Sequence, residues 1–306
     1  MQTITLGTSS LLAGRLAYGC WRLNGAPEHR AASKQAVAAA FEAGYTLFDH
    51  ADIYGGGEAE KIFGEVLREV SGMREGVLIV TKAGVRRADD PPGSPYHFNL
   101  SGEYIVRSCE SSLQRLGVET IDLFLLHRAD WLADPAEIAG SFTKLKQSGK
   151  VRFFGVSNFR PTHVSAIQSA CPTPLVAHQV EISLARLAAF DDGTLDQCQT
   201  AKMTPMAWSP LGGGQLADGA KRLLKYQEGY RTEGVLPLLD EYAKQRGVTR
   251  SAVALAWLLK HPSGIMPIVG STNPRRIREA ARAAEISLSR EEWYRLFTAA
   301  RGEPLP

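Results

Sequence analysis

Eight short apolar runs alternate with longer stretches of helical periodicity, and no other feature limits the fold of this 306-residue chain as strongly. The runs cover residues 16–21, 46–49, 77–82, 123–127, 153–157, 176–180, 203–209 and 266–270. Each is rich in β-branched or aromatic residues and too short for a helix, so each reads as a buried strand. Helix signals lie between most of them. An alanine-rich segment at 33–43 stops at Gly44. Ser101 opens an amphipathic period that ends at Gly117, and Asp134-Pro135 opens another that ends at Gly149. Residues 161–170 follow the fifth run, and 249–260 and 273–284 bracket the eighth. Ser, Asp or Asn before a helix, Pro at its first position and Gly just after it satisfy or relieve its unpaired ends.

Strands that alternate with helices form a parallel sheet. Eight such units without a linker predict one α/β domain over residues 1–306, a (β/α)₈ TIM barrel. A doubly wound open sheet is the alternative. Three segments exceed the simple repeat. Residues 2–5 and 12–15 predict a β-hairpin before the first barrel strand, and 83–100 and 211–230 predict long loops after strands three and seven. Loops of that length in a compact domain usually carry function.

Composition excludes several classes. Thirty-five Lys and Arg stand against 32 Asp and Glu, with no basic run, which argues against nucleic acid as a partner. The longest apolar run, 252–259, is too short to span a bilayer, so no membrane association is expected. The first residues lack a basic and then apolar leader pattern. Cys20, Cys109, Cys171 and Cys198 are too scattered for a disulfide or zinc framework, which predicts reduced thiols in a cytoplasmic protein. Nothing in the sequence signals an oligomeric state.

In a barrel of this kind the active site lies at the C-terminal ends of the strands. Those ends read Asp49, Lys82, His127, Ser157-Asn158, Gln179, Trp208-Ser209 and Gly270-Ser271. Tyr54 follows Asp49 closely, in a loop able to fold over the rim. A free phenol has a pKa near ~10, and a neighbouring ammonium favours its ionised form. Asp49 would keep Lys82 charged and oriented, Tyr54 would donate a proton, and His127 would polarise the accepting oxygen. Such a group protonates an oxygen on which negative charge develops, as carbonyl reduction by hydride requires.

The segments GYTLFDHADIYGGGEAEKIFG (44–64), IVTK (79–82), LLH (125–127), GVSNF (155–159), HQVE (178–181), AWSPLGGG (207–214) and PIVGSTNPRRIREA (267–280) resemble, in that order, those of the aldo-keto reductases, especially a bacterial branch of YdhF type. The resemblance covers nearly the whole chain. It implies a catalytic tetrad of Asp49, Tyr54, Lys82 and His127, and an NADPH lying across the barrel mouth that hands its hydride to an aldehyde or ketone. It also implies that Ser157, Asn158 and Gln179 hold the nicotinamide carboxamide, that Trp208 stacks on the ring, and that no metal takes part. Three positions depart from the family pattern: His50 after the aspartate, His178 before the glutamine, and Ala280 where an adenine-contacting asparagine is frequent.

The phosphates have two candidate sites. Glycines 55–57 precede Glu58 and Glu60, whose charges would repel an anion, so they read as turn residues that let Tyr54 fold inward. Gly212, Gly213 and Gly214 suit close approach to a pyrophosphate, with Ser209 and Leu211 beside them on the cofactor. Asn273 as N-cap, Pro274 as first helical residue and the free amides behind them make an anion site. There Ser271 and Arg276 would hold the 2′-phosphate of NADPH, with Gly270 among the residues that bind the cofactor. Trp21, His50 and Trp131 are expected to line the substrate pocket, and Asp52 reads as a structural loop carboxylate. Two other readings compete. A metal-dependent hydrolase on the same barrel is disfavoured because strand one carries no H-x-H pair. An NADPH-binding redox-sensing module with vestigial turnover is the second.

Overall fold

A computed structural model describes residues 2–217 and 227–305 of the chain. Its eight barrel strands are Ala17–Gly19, Leu47–Asp49, Leu78–Ala83, Ile121–Leu126, Val151–Ser157, Leu175–Glu181, Thr204–Trp208 and Met266–Val269. All pair in parallel, each with the next in sequence, and the eighth closes on the first through Ile268 opposite Ala17. The predicted (β/α)₈ barrel is therefore what forms.

Side chains alternate across a strand, so each strand has an inner and an outer face. Leu47, Val80, Leu123, Leu125, Ala177, Met206, Met266 and Ile268 pack as one cluster inside the barrel. Phe48, Ile79, Phe124, Phe154 and Val156 belong to a second cluster that includes the helix residues Ile62, Phe63, Ile105 and Phe142. The expected hairpin also forms, with Thr3–Thr5 antiparallel to Leu12–Gly14. Leu6 and Leu11 from its turn join the inner cluster, and the Gly7 amide donates to Thr204 Oγ1 at the start of strand seven, at 2.8 Å. The N-terminal end of the barrel is thus plugged with hydrocarbon.

Helices stand where their caps predicted. Ser101 accepts from the Tyr104 amide ahead of Gly102–Leu116, Asp134 from Ala136 ahead of Pro135–Gln147, and Thr249 from Ala252 ahead of Arg250–Leu259. Among the described residues, three helices of more than ten residues lay outside the expectation, Glu58–Glu69, Leu236–Arg246 and Arg290–Arg301, as did the short helices Met73–Gly76, Ala188–Asp191 and Thr194–Thr200. The first begins directly after the three glycines, which read as a turn and hid the periodic Ala59, Ile62, Phe63 and Val66 that it buries. In the loop after strand three, Val85–Arg86 pairs with His97–Phe98. The loop after strand seven opens with the tight turn Gly212–Gly214, and its residues 218–226 lie outside those described.

Candidate active site

Strand parity determines which polar residues face the mouth. Asp49 is two residues beyond Leu47, Lys82 two beyond Val80 and His127 two beyond Leu125, so all three follow inward-facing neighbours. Lys82 is fully buried, and its Nζ lies 2.8 Å from each Asp49 carboxylate oxygen and 2.5 Å from the His50 carbonyl oxygen. Gln179 Nε2 donates to Asp49 Oδ1 at 2.8 Å. A buried ammonium is costly unless it is paired and hydrogen-bonded, and here all three of its donors have acceptors.

Tyr54 sits over this pair. Lys82 Nζ is 5.0 Å from the centre of the Tyr54 ring, and the His127 ring lies 6.0 Å from it, edge-on at 82°. The turn that brings the phenol inward is held by the Asp52 amide, which donates to the Lys82 carbonyl at 2.9 Å, and by positive φ angles of 58°, 68° and 93° at Gly55, Gly56 and Gly57. Side chains rarely adopt such φ values, so the expectation that these glycines shape a turn agrees with the backbone.

Burial and neighbouring charges act in opposite directions on these groups. Burial raises the Tyr54 pKa, Lys82 pulls it down, and the net direction is upward. This reverses the lowering expected from Lys82 alone, because desolvation outweighs the attraction of the ammonium. Burial alone would lower Lys82, but Asp49 and then Tyr54 reverse the sign and raise it, so it stays cationic. His127 is pushed well below its ordinary value by burial, then by Lys82 and Arg128, and is neutral at physiological pH. Its Nδ1 is buried without a partner.

Beside these groups runs a rim of amides and aromatics. Asn158 Nδ2 donates to Ser157 Oγ at 2.8 Å and to the His127 carbonyl at 3.2 Å, while its Oδ1 accepts from Trp208 Nε1 at 2.8 Å. Asn158 and Ser209 both adopt positive φ, 61° and 48°. Unusual backbone in non-glycine residues clusters at functional sites. Across the mouth, Arg22 donates to the Gly270 carbonyl at 2.9 Å and Tyr18 to the Ser271 carbonyl at 3.1 Å, which ties strand one to the segment leading into the helix Pro274–Ala281.

Residues 15–300 match the Aldo/keto reductase family. The chain belongs to that family. It is 40% identical over 312 residues to the uncharacterised oxidoreductase YcsN of Bacillus subtilis, with all of both chains aligned. It is 40% identical to a 6-dehydroglucose reductase of Agrobacterium fabrum, over 99% of each chain. The oxidoreductase YdhF of Escherichia coli shares 37% identity over the full length of both. Among solved structures, the thermostable aldo-keto reductase Tm1743, crystallised with the inhibitor epalrestat, superposes with a TM-score of 0.82 at 28% identity, covering 98% of this chain and all of the other.

Within this aldo/keto reductase chain four expectations need revision. His50 does not line a pocket. It follows the inward Asp49, so its side chain points outward; it is fully buried with its ring 4.5 Å from that of Phe63, and neither ring nitrogen has a partner. Burial, then Lys82, lowers its pKa to about 3. Glu60 is no phosphate-repelling surface charge, because it is fully buried against Thr81 and Arg115. The start of helix Pro274–Ala281 offers fewer free amides than expected, since Asn273 Oδ1 already accepts from the Arg275 and Arg276 amides. In the 212–214 turn the missing Gly213 side chain makes room for the buried Gln227.

Trp21 and Trp131 are both exposed at the mouth, Trp131 by 81%. Trp21 borders a cavity of 380 Å³ that it shares with Leu23, Gly55 and Glu58, and Trp131 leans on Phe98 at 5.9 Å between ring centres. Arg128 escaped the sequence reading. Its guanidinium lies 5.9 Å from the Trp208 ring, and its place directly after His127 was the available signal. Asp52 is the structural carboxylate expected, bonded by Ser108 at 2.6 Å and Tyr104 at 3.3 Å, with its pKa raised to about 6 by burial against the pull of Ser108.

Proposed function

We propose that the protein reduces aldehydes or ketones to alcohols with NADPH, using Tyr54 as general acid. The observation that carries this reading is the fully buried Asp49–Lys82 pair beneath the Tyr54 ring. When bound, NADPH supplies the hydride. The cofactor's donors and acceptors suit the residues at the rim: among the described residues the Gln179 carbonyl oxygen has no partner and the Ser157 hydroxyl is bonded only as an acceptor, leaving one acceptor and one donor for a carboxamide. Trp208, Ser209, Leu211, Gly212 and Gly214 form the adjoining wall, and Gly270, Ser271 and Arg276 stand at the end suited to the 2′-phosphate.

The phenol of Tyr54, whose ordinary pKa of ~10 burial raises further, is protonated at neutral pH. Negative charge growing on the substrate oxygen draws that proton across, and the Lys82 cation stabilises the phenolate left behind. Asp49, held by Gln179, keeps the ammonium aimed. Neutral His127 directs a ring N–H at the same oxygen without competing for its proton. Trp21 and Trp131 flank the opening through which a small carbonyl compound reaches Tyr54. No helix among the described residues is long and apolar enough to cross a membrane, and all four cysteines are free; we place the protein in the cytoplasm as a single 1–306 domain.

The test is a panel of carbonyl compounds, including nitrobenzaldehyde and an oxidised sugar of the kind named for the Agrobacterium relative, followed by loss of reduced-nicotinamide absorbance. Oxidation of NADPH by at least one member is expected. No oxidation of either nicotinamide cofactor by any member contradicts the proposal.

A further inference from the structure

Tyr54 lies between two buried carboxylates that the tetrad does not use. Two residues before it, Asp52 Oδ2 accepts from Ser108 Oγ at 2.6 Å and from the Tyr104 hydroxyl at 3.3 Å. Six residues after it, Glu60 Oε1 accepts from Thr81 Oγ1 at 2.6 Å, and Oε2 accepts from Arg115 Nε at 2.6 Å. Arg115 also donates to Ser112 Oγ at 3.0 Å. Its Cδ lies 2.7 Å from where a Cβ on Gly57 would stand, so the arginine seats directly on the last glycine of the Tyr54 turn.

All these partners come from two elements. Tyr104, Ser108, Ser112 and Arg115 recur at spacings of four, four and three along helix Gly102–Leu116, which puts them on one stripe. Thr81 immediately precedes Lys82, and its side chain leaves the barrel on the opposite face. A helix packed here for stability alone would present hydrocarbon, because a buried ion pair is generally no better than an apolar replacement. Polar groups satisfied at both ends of one short turn instead fix a single geometry.

We propose that Asp52 and Glu60 are positioning residues: together they clamp both ends of the Tyr54 turn to helix Gly102–Leu116, and Glu60 also ties it to the strand carrying Lys82, holding the phenol against the ammonium. This inference rests on the reductase reading for its consequence, though the clamp can be tested without turnover.

The experiment uses the full chain in six forms: parent, Glu60→Gln, Ser108→Ala, Arg115→Ala, Arg115→Lys and Asp122→Asn. Glu60→Gln removes the charge facing Arg115, and Ser108→Ala removes one donor to Asp52, which keeps the test decisive if Glu60→Gln does not fold. Asp122→Asn alters a buried carboxylate remote from Tyr54, bonded to the Ile79 amide and Arg152. Amide hydrogen exchange over residues 51–57 is expected to accelerate about 10-fold in the first two variants and to be unchanged in Asp122→Asn. Turnover at saturating substrate should fall about 10- to 100-fold in Glu60→Gln, while NADPH affinity stays within about 2-fold of the parent. Arg115→Lys should restore part of the loss seen in Arg115→Ala.

Exchange that matches Asp122→Asn in both clamp variants overturns the clamp. Faster exchange with unchanged turnover overturns its positioning role. A parent that oxidises NADPH with no carbonyl compound sinks the reductase reading instead, and the exchange measurement still judges the clamp.

Discussion

Each end of the barrel carries a carboxylate–cation pair with a buried carboxylate, but only one end also buries the cation. Near the N-terminal end, Asp122 Oδ1 accepts from Arg152 at 2.6 Å, but 44% of the arginine side chain remains in water. The carboxylate spends its other oxygen on the Ile79 amide at 2.9 Å, so it works as a backbone fastener beside a hydrocarbon plug. At the C-terminal end, Asp49 and Lys82 are 4% and 0% exposed, and neither charge reaches solvent. A pair so deeply buried adds little stability over an apolar substitute. In the proposed mechanism its value lies in the field it presents to Tyr54. Burial depth, more than the presence of an ion pair, separates the structural end from the chemical end.

That contrast can be broken first at its strongest point. Lys82→Met should lower turnover by about 10³-fold, because it removes the charge that stabilises the phenolate. Steady-state rates with saturating NADPH measure the loss, and a change below 10-fold would erase the distinction between the two pairs. The opposite result is expected at the other end. Asp122→Ala leaves the Ile79 amide unpaired and should cost about 1–3 kcal/mol of stability with turnover intact; denaturant titration alongside kinetics checks both parts. Removing the guanidinium in Arg276→Ala should weaken NADPH by about 10- to 100-fold and NADH by less than about 2-fold, as read by fluorescence titration. Equal losses would place the 2′-phosphate elsewhere.

The smallest effect concerns a group that the mouth conceals. His50 has its pKa lowered from 6.5 to about 3 by burial and then by Lys82. A histidine kept neutral by the fold contributes stability above its unfolded pKa, and that contribution is lost as pH falls from 6.5 toward 3. His50→Leu also removes two unpartnered ring nitrogens. The variant should melt higher than the parent, with a gap that widens between pH 7.5 and pH 5. A gap independent of pH would mean that His50 accepts protons in the folded state as easily as in the unfolded one.

Much of this was legible before any coordinates. Parallel-strand alternation implied the barrel, and the openings at Ser101, Asp134 and Asn273 placed three helix starts. The polar ends Asp49, Lys82 and His127 converged because parity and barrel closure leave them no other place. What escaped depended on direction and depth. His50 looked like a pocket residue because it sits next to Asp49, yet one step along a strand reverses the side chain. Glu60 looked solvated because it is charged, and nothing local in EAEKIFG reveals that Arg115 and Thr81 meet it from 55 and 21 residues away. The Tyr54 pKa went astray because a Coulomb partner is visible in a sequence and desolvation is not.

The central claim is that Tyr54 gives the proton while its neighbours hold charge and cofactor in place. Tyr54→Phe, assayed for carbonyl-dependent NADPH oxidation and for quenching of NADPH fluorescence, tests it most directly. The account predicts turnover reduced by about 10³-fold or more with NADPH affinity essentially that of the parent. Equal turnover in the variant and the parent would contradict it.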